Sequence, residues 1–259
     1  LLARYRHLRQ VGLRLNNRLV KTLPKSAFDE GGKKLGLLKN KTVYLDTEDE
    51  IAVLIDYCLY DVRRQGRNTV ERFLAESPPP AGSDEMILLQ AMCAAHYALF
   101  AVEAVERGVG VHARDLLRDE ARFIVDVGFG TTAPVGIILA ARYMAPEGIG
   151  MTTGAGLPVG MLSAAERAAF LRQVTATLQV TDFRNLSPGQ ASELTAAIIR
   201  ACLEHGAAER IEYTEPRGSK VHECPDVAAK PPRRARPNER CPCGSGRKFK
   251  NCCGCRRRS

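Results

Sequence analysis

Four cysteines near the C-terminus, Cys241, Cys243, Cys252 and Cys253, stand at a spacing that suits one metal ion. Cys-x-Cys, eight residues, then Cys-Cys lets four thiolates close a tetrahedral Zn²⁺ site, with no position left for a reactive water. Such a site holds structure and does no catalysis. The residues between the pairs fit that purpose. Gly244-Ser245-Gly246 allows a tight turn that aims backbone N–H groups at the sulfurs. Arg247, Lys248 and Lys250 offset the net −2 of a Zn(Cys)₄ centre, and Phe249 supplies apolar packing. So short a segment builds no core of its own, so the metal provides most of its folding free energy, on the order of ten kcal/mol. Free or disulfide-bonded thiols are the competing reading, and they explain neither the spacing nor the glycines.

Cysteines elsewhere read differently. Cys255 lies two residues past the last ligand and breaks the spacing if it substitutes for one; His222 and Cys224 are only two ligands, too few to hold zinc. Cys58, Cys93 and Cys202 sit on apolar helical faces, as small core residues do. Five of nine cysteines crowd between Cys241 and Cys255, which indicates metal binding in a reducing, cytoplasmic setting.

The string CPCGSGRKFKNCC resembles the SEC-C motif, the short zinc-binding tail first associated with the SecA preprotein translocase motor. The resemblance covers about residues 238–254 and puts the ligand pairs on Cys241/Cys243 and Cys252/Cys253. It implies zinc and contact with a partner. It does not extend to the translocase, because the chain has no Gly-x4-Gly-Lys-Ser/Thr string and is far too short for the motor. A looser resemblance runs from Gly110 to Gly154, which looks like a β module found upstream of SEC-C tails in other bacterial proteins. It implies architecture and names no reaction.

One body string resembles an enzyme signal. Asp126-Val127-Gly128-Phe129-Gly130-Thr131-Thr132, after an apolar stretch, is similar to the first phosphate loop of the actin-like ATPases. That fold needs two large halves and a second loop, for which the chain is short, so a glycine hairpin between strands is the simpler expectation. A nucleotide-dependent enzyme stays as a remote alternative. The histidines assemble no site: His7 and His112 lie apart, and His96 and His205 sit near helix ends. Asp115, Asp119 and Glu120 are interleaved with Arg114, Arg118 and Arg122, as in an alternating charged face or turn rather than a paired acid/base.

The net charge of +9 is strongly segregated. Residues 1–41 carry +9, from eleven Lys/Arg against Asp29 and Glu30, and residues 217–259 carry +10, from thirteen against three. Residues 42–216 carry −10, from fourteen against twenty-four. The basic ends either reach for an anionic partner such as RNA or fold back on the acidic body. Even with Zn(Cys)₄ in place, residues 217–259 keep +8. No apolar run approaches the ~20 residues of a membrane helix, so no membrane insertion is expected. The sequence begins at Leu1 rather than Met and reads as truncated, which leaves a targeting segment open.

These features need elements to position them. Leu8, Val11, Leu15 and Leu19 define a basic amphipathic helix within 1–23, and Asp29-Glu30-Gly31-Gly32 reads as a turn. A Thr47/Glu50 capping box starts a helix that buries Ile51, Leu54, Ile55, Cys58, Leu59 and Val62. Asn68 and Ser83 cap two further helices on either side of Ser77-Pro78-Pro79-Pro80. From about Leu99 the period becomes 2, and glycine-punctuated strands are expected near 99–105, 109–113, 122–127, 135–143 and 149–153. Helices return at Ser163/Glu166, with Ala169, Phe170, Val174 and Leu178 on one stripe, and at Ser187-Pro188.

The predicted fold class is α+β: a helical region over 1–98, a small β barrel or curled sheet over 99–160, and two helices over 161–212. A basic Pro-rich linker follows over 213–237, then the zinc module over 238–255 and a basic tail over 256–259. The expected function is that of a non-enzymatic adaptor, recruiting a partner protein through the zinc module. The alternative is RNA or ribosome binding through Arg233, Arg234, Arg236, Arg247, Lys248, Lys250 and the terminal arginines, with Phe249 the only aromatic available for stacking. A small-molecule substrate is not expected.

Overall fold

The computed structural model describes residues 1–39, 42–43 and 47–207. The chain divides into two units after Glu212, and the described residues belong to the first. That unit is α+β, with helices laid on a curled antiparallel sheet.

Helix α1 (Leu2–Val20) buries Tyr5, Leu8, Val11, Leu15 and Leu19 on one stripe. Each such leucine contributes about 1.5–3 kcal/mol of burial. Its basic faces turn to acidic groups of the body. Arg4 donates to Asp84 at 2.6 Å and Glu147 at 2.7 Å, Arg18 donates to Glu85 at 2.8 Å, and Arg9 donates to the Thr152 carbonyl. The fold-back reading therefore holds for these arginines.

Residues 29–32 are not a turn. They lie inside α2 (Lys25–Leu35), which begins after Pro24 and ends at the left-handed Gly36. Gly31 is there for closeness: a Cβ on it would come within 2.9 Å of Cys58 Sγ. A two-strand hairpin, β1 (Leu38–Lys39) with β2 (Thr42–Val43), leads into α3 (Glu48–Tyr60). The Thr47 hydroxyl accepts from Glu50 N and starts that helix. Leu54, Cys58, Leu59 and Val62 are buried as the periodicity predicts, but Ile55 is only half-buried and Ile51 is exposed, because the buried face of α3 runs through Val53, Leu54, Tyr57 and Cys58 instead. Helix α4 (Thr69–Glu76) has a complete Asn68/Glu71 capping box, and α5 (Asp84–Cys93) is capped by Ser83.

The sheet begins three residues earlier than the period predicts. It comprises β3 (His96–Glu106), β4 (Gly110–Asp115), β5 (Glu120–Val125), β6 (Ile137–Met144), β7 (Met151–Thr152) and β8 (Leu157–Met161), with a single helical turn α6 (Phe129–Thr132) between β5 and β6. The order is β5-β4-β3-β6-β7, β8 also pairs with β6, and all pairings are antiparallel. Val125 N donates to the Gly150 carbonyl at 2.8 Å, so the β5 edge curls round to the segment before β7. Both faces of β3 are buried, in alternation. Ala98, Phe100 and Val102 point into the curl, and Tyr97 and Leu99 point at the helices. The last helices among the described residues are α7 (Ala164–Thr175) and α8 (Pro188–Glu204), each with a complete capping box. On α7 only Phe170 and Val174 of the predicted stripe are buried; Ala169 faces out.

The described residues of the ranges 1–98, 99–160 and 161–212 share cores. One cluster joins Leu54, Tyr57 and Cys58 of α3 to Leu99, Ile138 and Leu157 of the sheet and to Ile198 and Cys202 of α8. Among the described residues no helix is long and apolar enough to cross a membrane.

Candidate functional site

The predicted zinc ligands Cys241, Cys243, Cys252 and Cys253 lie outside the described residues. So do Arg233, Arg234, Arg236, Arg247, Lys248, Phe249 and Lys250, the pair His222/Cys224, Cys255, the linker and the tail. Among the described residues no group of three or more His, Cys, Asp or Glu is placed to hold a metal. Cys58 and Cys202 are fully buried, and Cys58 Sγ donates to the Ala27 carbonyl. Burial pushes the Cys58 thiol up to about 12 and the half-buried Cys93 to about 11, so neither is an activated nucleophile.

The phosphate-loop-like string has a structural role. Asp126 Oδ1 accepts from Phe129 N at 2.9 Å, where α6 begins. Gly130 packs on the backbone of Gly110, where a Cβ would lie 2.6 Å from its nitrogen. The string forms one helical turn rather than the expected hairpin, held by the hydrogen bonds that Asp126 accepts from Phe129 N and Gly130 N and by this close packing. His7 pairs with Asp84, His112 pairs with Glu106, and His205 packs edge-on to Phe170.

What the sequence did not announce is a buried polar centre between the helices and the sheet. Its middle is Arg142 on β6, on the same face as Ile138 and Ala140, only 3% exposed. Arg142 Nε donates to Asp56 Oδ2 at 2.7 Å, and Nη2 donates to Asp61 Oδ2. The guanidinium lies over the Tyr60 ring at 4.4 Å and near the Tyr97 ring at 5.4 Å. Thr153 donates to the other Asp56 oxygen at 2.8 Å. Asp61 is the C-cap of α3, at the negative end of the helix, where a carboxylate is disfavoured. Burial works against the charge of Arg142, but Asp56 and Asp61 outweigh it and raise its pKa. Burial also raises Asp61, to about 6, with Asp56 adding to the effect and Arg142 opposing it.

Beside this centre is a cavity of about 170 Å³, where the end of α3, the start of α4, the start of β3, the β4–β5 turn and the start of α8 converge. Asp61, Asn68, His96, Arg118, Arg142 and Thr195 are among its walls. Asn68 Nδ2 donates to the Tyr60 carbonyl, and Ser192 donates to the Asp61 carbonyl. Arg118 is bound by the buried Asp115 at 2.9 Å. His96 stands 3.9 Å from Asp115, and burial, aided by Arg118, lowers it to about 4, so it is neutral at pH 7. The alternating charges at 114–122 pair as Arg114–Asp119, Arg118–Asp115 and Arg122–Glu120, with Asp115 drawn into the interior.

The raised Asp61 sets a pH dependence. Its folded pKa of about 6 exceeds the ordinary 3.8, so between these values the native chain holds a proton that the unfolded chain has lost. Stability from this group is full below pH ~4 and falls as pH rises to ~6, by about 3 kcal/mol in all. Asp61→Asn is expected to match the wild type in urea unfolding near pH 4 and to exceed it above pH 6. A wild-type-to-variant difference that does not change with pH overturns this assignment.

The comparisons with known proteins bear on both units. The SEC-C motif model matches residues 238–254, which contain all four predicted ligands. Four thiols in two close pairs suit a soft, tetrahedral ion, so the donor set fits zinc. No curated protein and no solved structure matches the chain. The model of a family of unknown function, DUF7986, matches residues 1–181, more than two thirds of the chain. The chain therefore belongs to the DUF7986 family and carries a SEC-C motif behind its α+β body.

Proposed function

We propose that this protein is a zinc-dependent adaptor, in which Cys241, Cys243, Cys252 and Cys253 hold one Zn²⁺ and the module they form recruits a partner protein. The observation that carries this reading is the SEC-C match at 238–254 on a Cys-x-Cys…Cys-Cys donor set. A closed Zn(Cys)₄ centre leaves no site for chemistry, so the metal shapes a surface instead. The body is then a carrier and binding element rather than an enzyme, and the clustered thiolates suit a cytoplasmic location. Affinity capture with the full chain beside Cys252→Ser/Cys253→Ser tests the reading. The variant is expected to lose the partners that the wild type recovers; identical recovery by both defeats it.

The charge distribution favours a second reading, RNA or ribosome binding by residues 217–259, which carry +10. The two readings respond differently to salt. Contacts to six to ten phosphates lose about 10³–10⁵ in affinity between 50 and 200 mM salt, whereas an apolar protein contact changes little.

A further inference from the structure

Beside the cavity, the buried cluster at Arg142 sets two carboxylates against one guanidinium. Three arginines face the cavity, and each is already engaged. Arg63 is held by Glu71 at 2.7 Å, Arg118 by Asp115 at 2.9 Å, and Arg142 by Asp56 and Asp61 together. The walls themselves hold these arginines with Asp61 and Glu71, while Asp56 and Asp115 bind Arg142 and Arg118 from beyond the walls, and His96 adds no charge at neutral pH. Farther out, Arg122 and Arg184 share Glu120. Within the buried cluster itself the excess is local: Asp56 and Asp61 share a single arginine, at 4% and 5% side-chain exposure.

A buried excess charge costs stability, and natural sites that keep one commonly serve a ligand. The surroundings of Asp61 leave it short of donors. The Thr195 hydroxyl stands by its carboxylate but also has the Ala191 carbonyl to satisfy at 3.0 Å, and one hydroxyl proton serves only one of them. Tyr97, another wall of the cavity, is 2% exposed, and its hydroxyl has no hydrogen-bond partner among the described residues. The space is more than ten times what one water needs by the same measure.

We propose that this cavity binds a small organic monocation bearing a primary ammonium group, with Asp61 as its counter-ion. The ammonium brings the positive charge and the donors that the site lacks, and the tyrosine walls accept its alkyl part. An anion is disfavoured despite the three arginines, because every guanidinium is already neutralised. This is a small-molecule site that the sequence did not lead one to expect, and it lies within residues 60–195, so it stands or falls independently of the zinc module.

Three probes of one size and different charge, n-butylammonium, n-butanol and n-butyrate, test it in NMR titrations of the full-length protein at pH 7.5. Butylammonium is expected to shift the amides of Ser192 and Thr195 and the ring signals of His96, with saturation in the millimolar range or below. Butanol and butyrate are expected to leave them in place. Asp61→Asn should weaken the response at least tenfold. Ala191→Met, which fills the cavity without touching a charge, should abolish it and decides the matter if the first variant does not fold. Equal responses to all three probes, a stronger response to butyrate, no response to butylammonium at tens of millimolar, or full binding in Ala191→Met each overturn the proposal.

Discussion

Arg142→Met is expected to destabilise the body by about 3–5 kcal/mol, read as a large drop in the urea midpoint at pH 7. Methionine keeps most of the apolar stem and removes the only cation between Asp56 and Asp61. Two carboxylates are then left inside the protein without a counter-charge. Each must either stay ionised in a poorly polarisable interior or take up a proton far from its ordinary range. The tyrosine rings above and beside the guanidinium lose their cation as well. Lysine does not rescue the site, since Arg142 uses two different nitrogens for its two partners and an ammonium offers no such fork. The triple variant Arg142→Met/Asp56→Asn/Asp61→Asn should recover most of the loss, because removing all three charges leaves nothing unpaired. A loss below 1 kcal/mol in the single variant, or no recovery in the triple, shows that the cluster is solvated rather than buried.

This centre explains why the body was only half legible in its sequence. The α1 stripe, the caps at Thr47, Asn68, Ser83, Ser163 and Ser187, and the change to a period of 2 are local patterns. Each was readable because a helix or strand imposes it within a few residues. Gly31-Gly32 misled, since two glycines in a row signal a turn unless a neighbouring helix needs the room, and that neighbour comes twenty-seven residues later at Cys58. Asp56 and Asp61 look like the polar side of an amphipathic helix. Arg142 interrupts an apolar run, and its even register with Ile138 and Ala140 was the one signal that it points inward. What makes these three residues a site is contact across 86 and 81 positions, which no local pattern contains. His96 was unreadable for the same reason. Its neutrality comes from burial among groups of the β4–β5 turn and β6.

The proposed zinc module presents the opposite case, because its pattern is entirely local and its energetics would follow from composition. Purified full-length protein is expected to carry one zinc per chain, and Cys252→Ser/Cys253→Ser none. Two remaining thiolates, Cys241 and Cys243, cannot close a tetrahedron, and few apolar residues besides Phe249 are present to hold the segment together without metal. The free energy lost is that of the site itself, about 10–16 kcal/mol of apparent binding at pH 7. Cys255→Ser and the pair His222→Ala/Cys224→Ala should keep full occupancy, since the SEC-C spacing assigns them no bond. Acid should release the metal, because the ligands are thiolates and protons compete for them. Cooperative melting of the body should persist in the double variant, since its cores are built from residues before 208. Zinc retained at one per chain after loss of both Cys252 and Cys253 means that other donors hold it. The adaptor reading then loses its structural basis, while the Arg142 centre and its cavity are untouched.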